Sequence, residues 1–138
     1  MRVAKRKAYP SEQQSTTSAN PSMYRRFQKL IEYSQDHITL TTAQGQLIYT
    51  NNVAHILGYS REEYMALGHV AILHPADRPK VLLFWQALCA SPNTTKTIEV
   101  RNRHQQGHYV WVEVTSTNLL HDPDIAAIVS NSRDISAR

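Results

Sequence analysis

Residues 45–78 read GQLIYTNNVAHILGYSREEYMALGHVAILHPADR, and the order of turns and helix starts in this run decides the fold. Gly45 can supply the positive φ of a tight turn, and it sits between Ile38-Thr39-Leu40-Thr41 and Leu47-Ile48-Tyr49, where the pattern falls to period two. A β-hairpin follows. Asn51 and Asn52 leave its second strand and can cap a helix from Val53 to Leu57, which Gly58 terminates. Ser60 and Glu63 have the residue types and spacing of a capping box, opening a second short helix to about Leu67. His69 to Pro75 reads as a loop. Ala76-Asp77 then starts a longer helix in which Val81, Phe84, Trp85 and Leu88 share one face, and Ser91-Pro92-Asn93 ends it.

Upstream, Phe27, Leu30 and Ile31 recur at helical spacing with Arg25, Arg26, Lys29 and Glu32 on the opposite face, so residues 23–34 are expected to form an amphipathic helix. Residues 1–22 are rich in Ser, Thr, Gln, Asn and Pro and hold almost no large apolar side chain. Such a segment cannot offset its ordering entropy, and it is expected to be a disordered tail. Downstream, three β-type runs, Thr95 to Arg103, His108 to Leu119 and Ile125 to Arg133, are separated by Gln105-Gln106-Gly107 and His121-Asp122-Pro123-Asp124. The class is α+β. In the second of these runs Val110, Val112 and Val114 fall on one face and Tyr109 and Trp111 on the other, so both faces of that strand expect cover. The middle helices suit one face, and the amphipathic helix or a second copy of the chain suits the other.

At 138 residues, 41% hydrophobic and 19% charged, the chain is sized for about one domain. The positive balance is uneven: residues 1–26 hold six Lys/Arg against Glu12 alone, a net +5, while the other 112 residues carry nine Lys/Arg and ten Asp/Glu, a net −1. A nearly neutral body argues against nucleic-acid binding. No window approaches the ~18 uninterrupted apolar residues of a membrane span, and Met1 to Lys7 does not lead into a signal core. Cys89, the single cysteine, cannot form an internal disulfide, which fits a reducing cytoplasm.

Five stretches in this order resemble one family: Gly45 to Asn51, Ile56 to Tyr64, His74 to Arg78, Gly107 to Val112 and Asp134-Ile135-Ser136. Each is weak alone; together they resemble the PAS domain, the sensory box of bacterial signalling proteins, over roughly Tyr24 to Ser136. The resemblance implies a five-stranded antiparallel sheet with short helices across one face. It also implies a sensory and dimerisation module, non-catalytic itself, of a sensor histidine kinase or transcription regulator. A homodimer, a small-molecule ligand and a downstream effector are the implied partners, with residues 137–138 beginning the linker. Asp134, Ile135 and Ser136 would carry the output, the last replacing the threonine usual in the family. The alternative is a protein-interaction PAS domain with a filled core and no ligand.

The cofactor is left open, with two candidates disfavoured. Haem-binding relatives use a histidine on the long helix, and Pro79 to Ala90 contains none. Relatives that form a flavin adduct use a cysteine just before that helix, where Gly68 to Leu73 has none. The seven histidines show no ligand spacing beside a carboxylate, so no metal site is expected. Nor is catalysis: Glu63 completes a cap, Asp77 suits a helix start, and no glycine-rich phosphate loop or activated nucleophile is present. The candidate pocket residues are Leu40, Tyr49, Leu57, Ile72, His74 and Val81, together with Trp85, Leu88, Ile98, Val112 and Ile128. Phe27, Leu30, Ile31, Tyr109 and Trp111 are the candidate dimer or cap surface.

Overall fold

In a computed structural model of the chain, residues 20–137 are described. The expected tail lies outside them as far as Ala19, but its last residues do not: Asn20 caps a helix that begins at Pro21. This helix, α1 (Pro21–Glu32), belongs to a unit ending at Ser34, and the rest of the described chain, from Gln35, forms a second unit. The Asn20 carboxamide oxygen accepts the Met23 N–H at 2.9 Å, and proline occupies the first helical position, where its missing N–H costs nothing. A lone helix cannot bury its own apolar stripe, so Phe27, Leu30 and Ile31 need a partner surface.

The second unit runs β1 (His37–Thr41), β2 (Leu47–Thr50), α2 (Ala54–Leu57), α3 (Arg61–Leu67), α4 (His69–Ile72), a 3-10 turn (Pro75–Asp77) and α5 (Arg78–Cys89), then β3 (Thr95–Arg103), β4 (Tyr109–Leu119) and β5 (Ala127–Asp134). All strand pairs are antiparallel, in the order β2-β1-β5-β4-β3. The first and last strands of this unit thus lie side by side at the centre. Gly45 turns the hairpin at φ +84 and Gly58 ends α2 at φ +83. The capping box forms in full, Ser60 Oγ accepting from Glu63 N–H at 3.1 Å and Glu63 Oε1 from Ser60 N–H at 2.8 Å. Two expectations change. His69 to Pro75 contains a helical turn, because Gly68 lets the chain restart a helix at once. Asn51 does not cap α2: it is fully buried, its Oδ1 accepting from Ile38 N–H at 2.8 Å and its Nδ2 donating to Asp36 O at 3.0 Å.

The apolar core joins the short helices to the β3–β4 half of the sheet. Leu57, Ile72, Val100 and Val112 are buried there with Tyr64 and Leu73. At the other end of β4, Asn118 is buried beside Ile128, its register partner, and bonds the carbonyl of buried Leu88.

Candidate functional site

Strand alternation assigns the face of the sheet that the helices cover. In β1 the buried residues are His37, Thr39 and Thr41, so the apolar Ile38 and Leu40 point the other way. The register then sets His37 opposite Ser132, Thr39 opposite Ser130, and Ser130 opposite Ser116. The covered face is therefore polar along β1 and β5 and apolar along β3 and β4. That polar strip floors a cavity of about 420 Å³. Phe84, Trp85 and Val81 of α5 roof it, Ile98, Val100 and Val114 form its apolar side, and Tyr64, His69 and Leu73 close it further. The exposed Gln44, Val70, Arg78 and Leu82 mark its mouth.

Of the eleven candidate pocket residues, Val81, Trp85 and Ile98 line this cavity. Leu40 and Tyr49 do not, because they are register partners on the opposite face of the sheet. Leu57, Ile72, Leu88, Val112 and Ile128 are fully buried and fill the packed core around it. His74 stands apart from the cavity: its Nδ1 accepts from Ala76 N–H at 3.0 Å and its ring lies 4.5 Å from that of Tyr109. The lining residues that sequence reasoning missed include six that bear hydroxyls, Thr39, Thr41, Tyr64, Ser116, Ser130 and Ser132. A preference for apolar side chains inside steered away from them, although the strict alternation His37-Thr39-Thr41 was available as a signal.

The electrostatics of the cavity favour neutral groups. His37 Nε2 lies 2.8 Å from Thr50 Oγ1, and the Thr50 hydroxyl donates to the Asn51 carbonyl at 3.0 Å. The Thr50 oxygen must then accept, which places a proton on His37 Nε2 and leaves Nδ1 an acceptor. Burial, with His55 and His69 nearby, lowers the His37 pKa to about 4, so the ring is neutral near pH 7. Burial also lowers the pKa of His69 and raises that of the Tyr64 phenol. Ser116 and Ser130 pair their hydroxyls at 2.6 Å. Thr41 Oγ1 is the one buried side-chain oxygen or nitrogen among the described residues with no partner. No group of three or more His, Cys, Asp or Glu suited to a metal occurs among the described residues.

The roof is pinned at three places. Trp85 Nε1–H donates to the Ala43 carbonyl of the hairpin at 2.9 Å. Asn118 holds the C-terminal end of α5. At the other end Asp77 stands at the start of α5, as expected; it makes no side-chain bond to that helix and is buried against β3. Its carboxylate accepts from Arg101 Nη2 at 2.7 Å and from the Arg101 backbone N–H at 2.8 Å. These bonds hold the Asp77 pKa down at about 2, against 3.8 normally. A carboxyl with a lowered folded-state pKa contributes stability above its unfolded value and loses it as pH falls towards the folded one. The stability difference between the parent protein and Asp77→Asn should therefore shrink as pH falls from about 4 to 2. Urea unfolding across that window checks this, and a constant difference would refute it.

On the other face of the sheet, Trp111 and Tyr109 are 43% and 41% exposed. Arg101 and Lys80 sit 5.0 and 5.7 Å from the Trp111 ring. Cys89 lines no part of the cavity; burial raises its thiol pKa, which fits a packing role over a reactive one.

Comparison with known proteins agrees with this architecture. Residues 46–128, more than half the chain, match the family described as the PAS fold. A probable diguanylate cyclase of Escherichia coli K12, DgcE, is 29% identical over 96 residues; these are 69% of this chain and 9% of that protein's length. Among solved structures, the PAS domain of a Colwellia psychrerythraea protein aligns with TM-score 0.71 at 23% identity, covering 85% of this chain and all of the other. A domain of a Geobacter sulfurreducens sensory box sensor histidine kinase/response regulator aligns with TM-score 0.64 at 22% identity, covering 83% and 99%.

Proposed function

The chain belongs to the PAS family, and from that premise we propose that it is the sensory and dimerisation module of a cytoplasmic signal-transduction protein, with catalysis left to a downstream effector. The observation that carries the reading is a cavity floored by β5, the strand that leads directly into the segment proposed as output. Ile135 N–H still donates to the Trp111 carbonyl at 3.0 Å, and Asp134 Oδ1 accepts from Ser136 N–H at 2.8 Å. A ligand that shifts β5 against β4 would thus move Asp134, Ile135 and Ser136 together. No helix among the described residues is long and apolar enough to cross a membrane.

The effector is proposed as a histidine kinase or a transcription regulator; the E. coli relative, a probable diguanylate cyclase, adds a third type. Native mass spectrometry and absorbance of the protein as purified test the sensory reading. A retained small molecule is expected, and a bare protein that binds none would favour a pure interaction domain. For the dimer, light scattering should give twice the chain mass at high concentration. Trp111→Glu, or Leu30→Glu in the α1 stripe, should shift it towards monomer by at least about tenfold in Kd, since a charge in an apolar contact is left unpaired. A protein monomeric at all concentrations ends the dimer proposal.

A further inference from the structure

The floor of the cavity is unlike a packed core, and the difference points to a class of ligand. On β1 and β5 Thr39 stands opposite Ser130 and His37 opposite Ser132, with Ser116 beyond Ser130, while Thr41 at the end of the row stands opposite Ile128. Side chains opposite one another in antiparallel strands lie about 5 Å apart, and those two residues apart along a strand lie about 7 Å apart. The hydroxyls therefore form a grid on the scale of a one- or two-ring molecule. Valine has the shape of threonine and would fill the same positions without a polar atom. Instead Thr39 and Ser132, each 8% exposed, keep hydroxyls in the lining of the cavity, while the Thr41 oxygen, which meets no partner, is itself buried out of the cavity's reach.

The remaining walls narrow the choice. Phe84 and Trp85 from the roof and Ile98, Val100 and Val114 from the sheet offer apolar surface or ring faces, to which Asn102, Tyr64 and His69 add polar groups. Among the described residues no carboxylate or lysine lines the cavity, and the one permanent charge there, Arg78, is exposed at the mouth. An ion seated on the floor would lack a buried counter-charge, a large penalty in this setting. The volume lies in the lower part of the small-molecule range.

Resting on the sensory reading above, we infer that the cavity takes an uncharged, amphiphilic ring-sized molecule that hydrogen-bonds Thr39 and Ser132 along one edge and packs its apolar face on Phe84 and Trp85. The shared chemistry is a neutral donor/acceptor edge on an apolar body. Three probes of nearly equal size separate it from its rivals: 2-naphthol, 2-methylnaphthalene and 2-naphthoate, each titrated calorimetrically into the full chain near pH 7. The naphthol should bind about tenfold or more tightly than either other probe, since each of them leaves the floor unbonded or brings in an unpaired charge.

Thr39→Val gives the second arm. It should weaken naphthol binding about tenfold and leave methylnaphthalene unchanged, because the hydroxyl is gone and the shape is kept. Methylnaphthalene or naphthoate binding as tightly as the naphthol would overturn the inference, as would no binding by any probe or a naphthol affinity insensitive to Thr39→Val. Tight naphthoate binding would discard the neutral class and leave the sensory reading intact. That reading stands or falls on the retained molecule.

Discussion

Asn118→Ala is expected to lower the stability of the domain by about 3 kcal/mol, and Asn118→Asp by more. Asn118 is 1% exposed in β4. Its Nδ2 donates to the carbonyls of Leu88, Ser91 and Cys89 at 2.9, 3.3 and 3.4 Å, and its Oδ1 accepts from Leu120 N–H at 3.0 Å. A helix ends with carbonyls that lack partners inside the helix, so this one amide completes the end of α5 from across the sheet. Its main chain joins the same knot, accepting from Asn93 N–H and donating to Thr94 O, each at 2.9 Å. Alanine strips three carbonyls and an N–H of a buried partner and opens a small void. Aspartate is worse, because it aims acceptors at acceptors where only a donor satisfies the site. Urea unfolding of the three proteins checks this; losses under about 1 kcal/mol, or an aspartate variant as stable as the parent, would refute it. Since α5 carries Phe84 and Trp85, the same variants should also bind cavity probes more weakly.

The order of elements was legible because each boundary is a local device. Gly45, Gly58 and the Ser60–Glu63 box act within a few residues of themselves, so the sequence around them is enough to place them. The site was not legible in the same way. Reading apolar side chains as inward gave Leu40 and Tyr49 to the pocket, and in a filled sandwich that would be right. Here β1 turns His37, Thr39 and Thr41 inward because what they face is a cavity. Hydroxyl positions on β5 carry the same inversion, with Ser130 and Ser132 buried and Arg133 exposed. Asp77 illustrates a second limit. Its place at the start of α5 was legible, but its partner, Arg101, lies 24 residues away, and no local rule reaches that far.

From pH 6.5 down to pH 4 the domain should lose about 3 kcal/mol of stability through His37 alone. The ring is 3% exposed, lies edge-on to Tyr64 with centroids 4.7 Å apart, and has its Nε2–H committed to Thr50. Burial is the main obstacle to a proton there, and the neighbouring His55 and His69 also oppose one. Its pKa of about 4 in the folded protein, against 6.5 unfolded, means that between these values the unfolded chain binds more protons than the folded one. Stability therefore rises with pH across the window, is whole above about 6.5, and falls as pH drops towards 4. His37→Gln keeps a donor for Thr50 without the titration, so the difference between parent and variant isolates the effect from the carboxylates, which titrate lower. Urea midpoints at pH 7, 5.5 and 4 should converge or cross in favour of the glutamine variant as pH falls. Parallel curves would mean that the ring is not held neutral by burial, and with that the floor of the cavity would lose its uncharged character on acidification without cost to the fold.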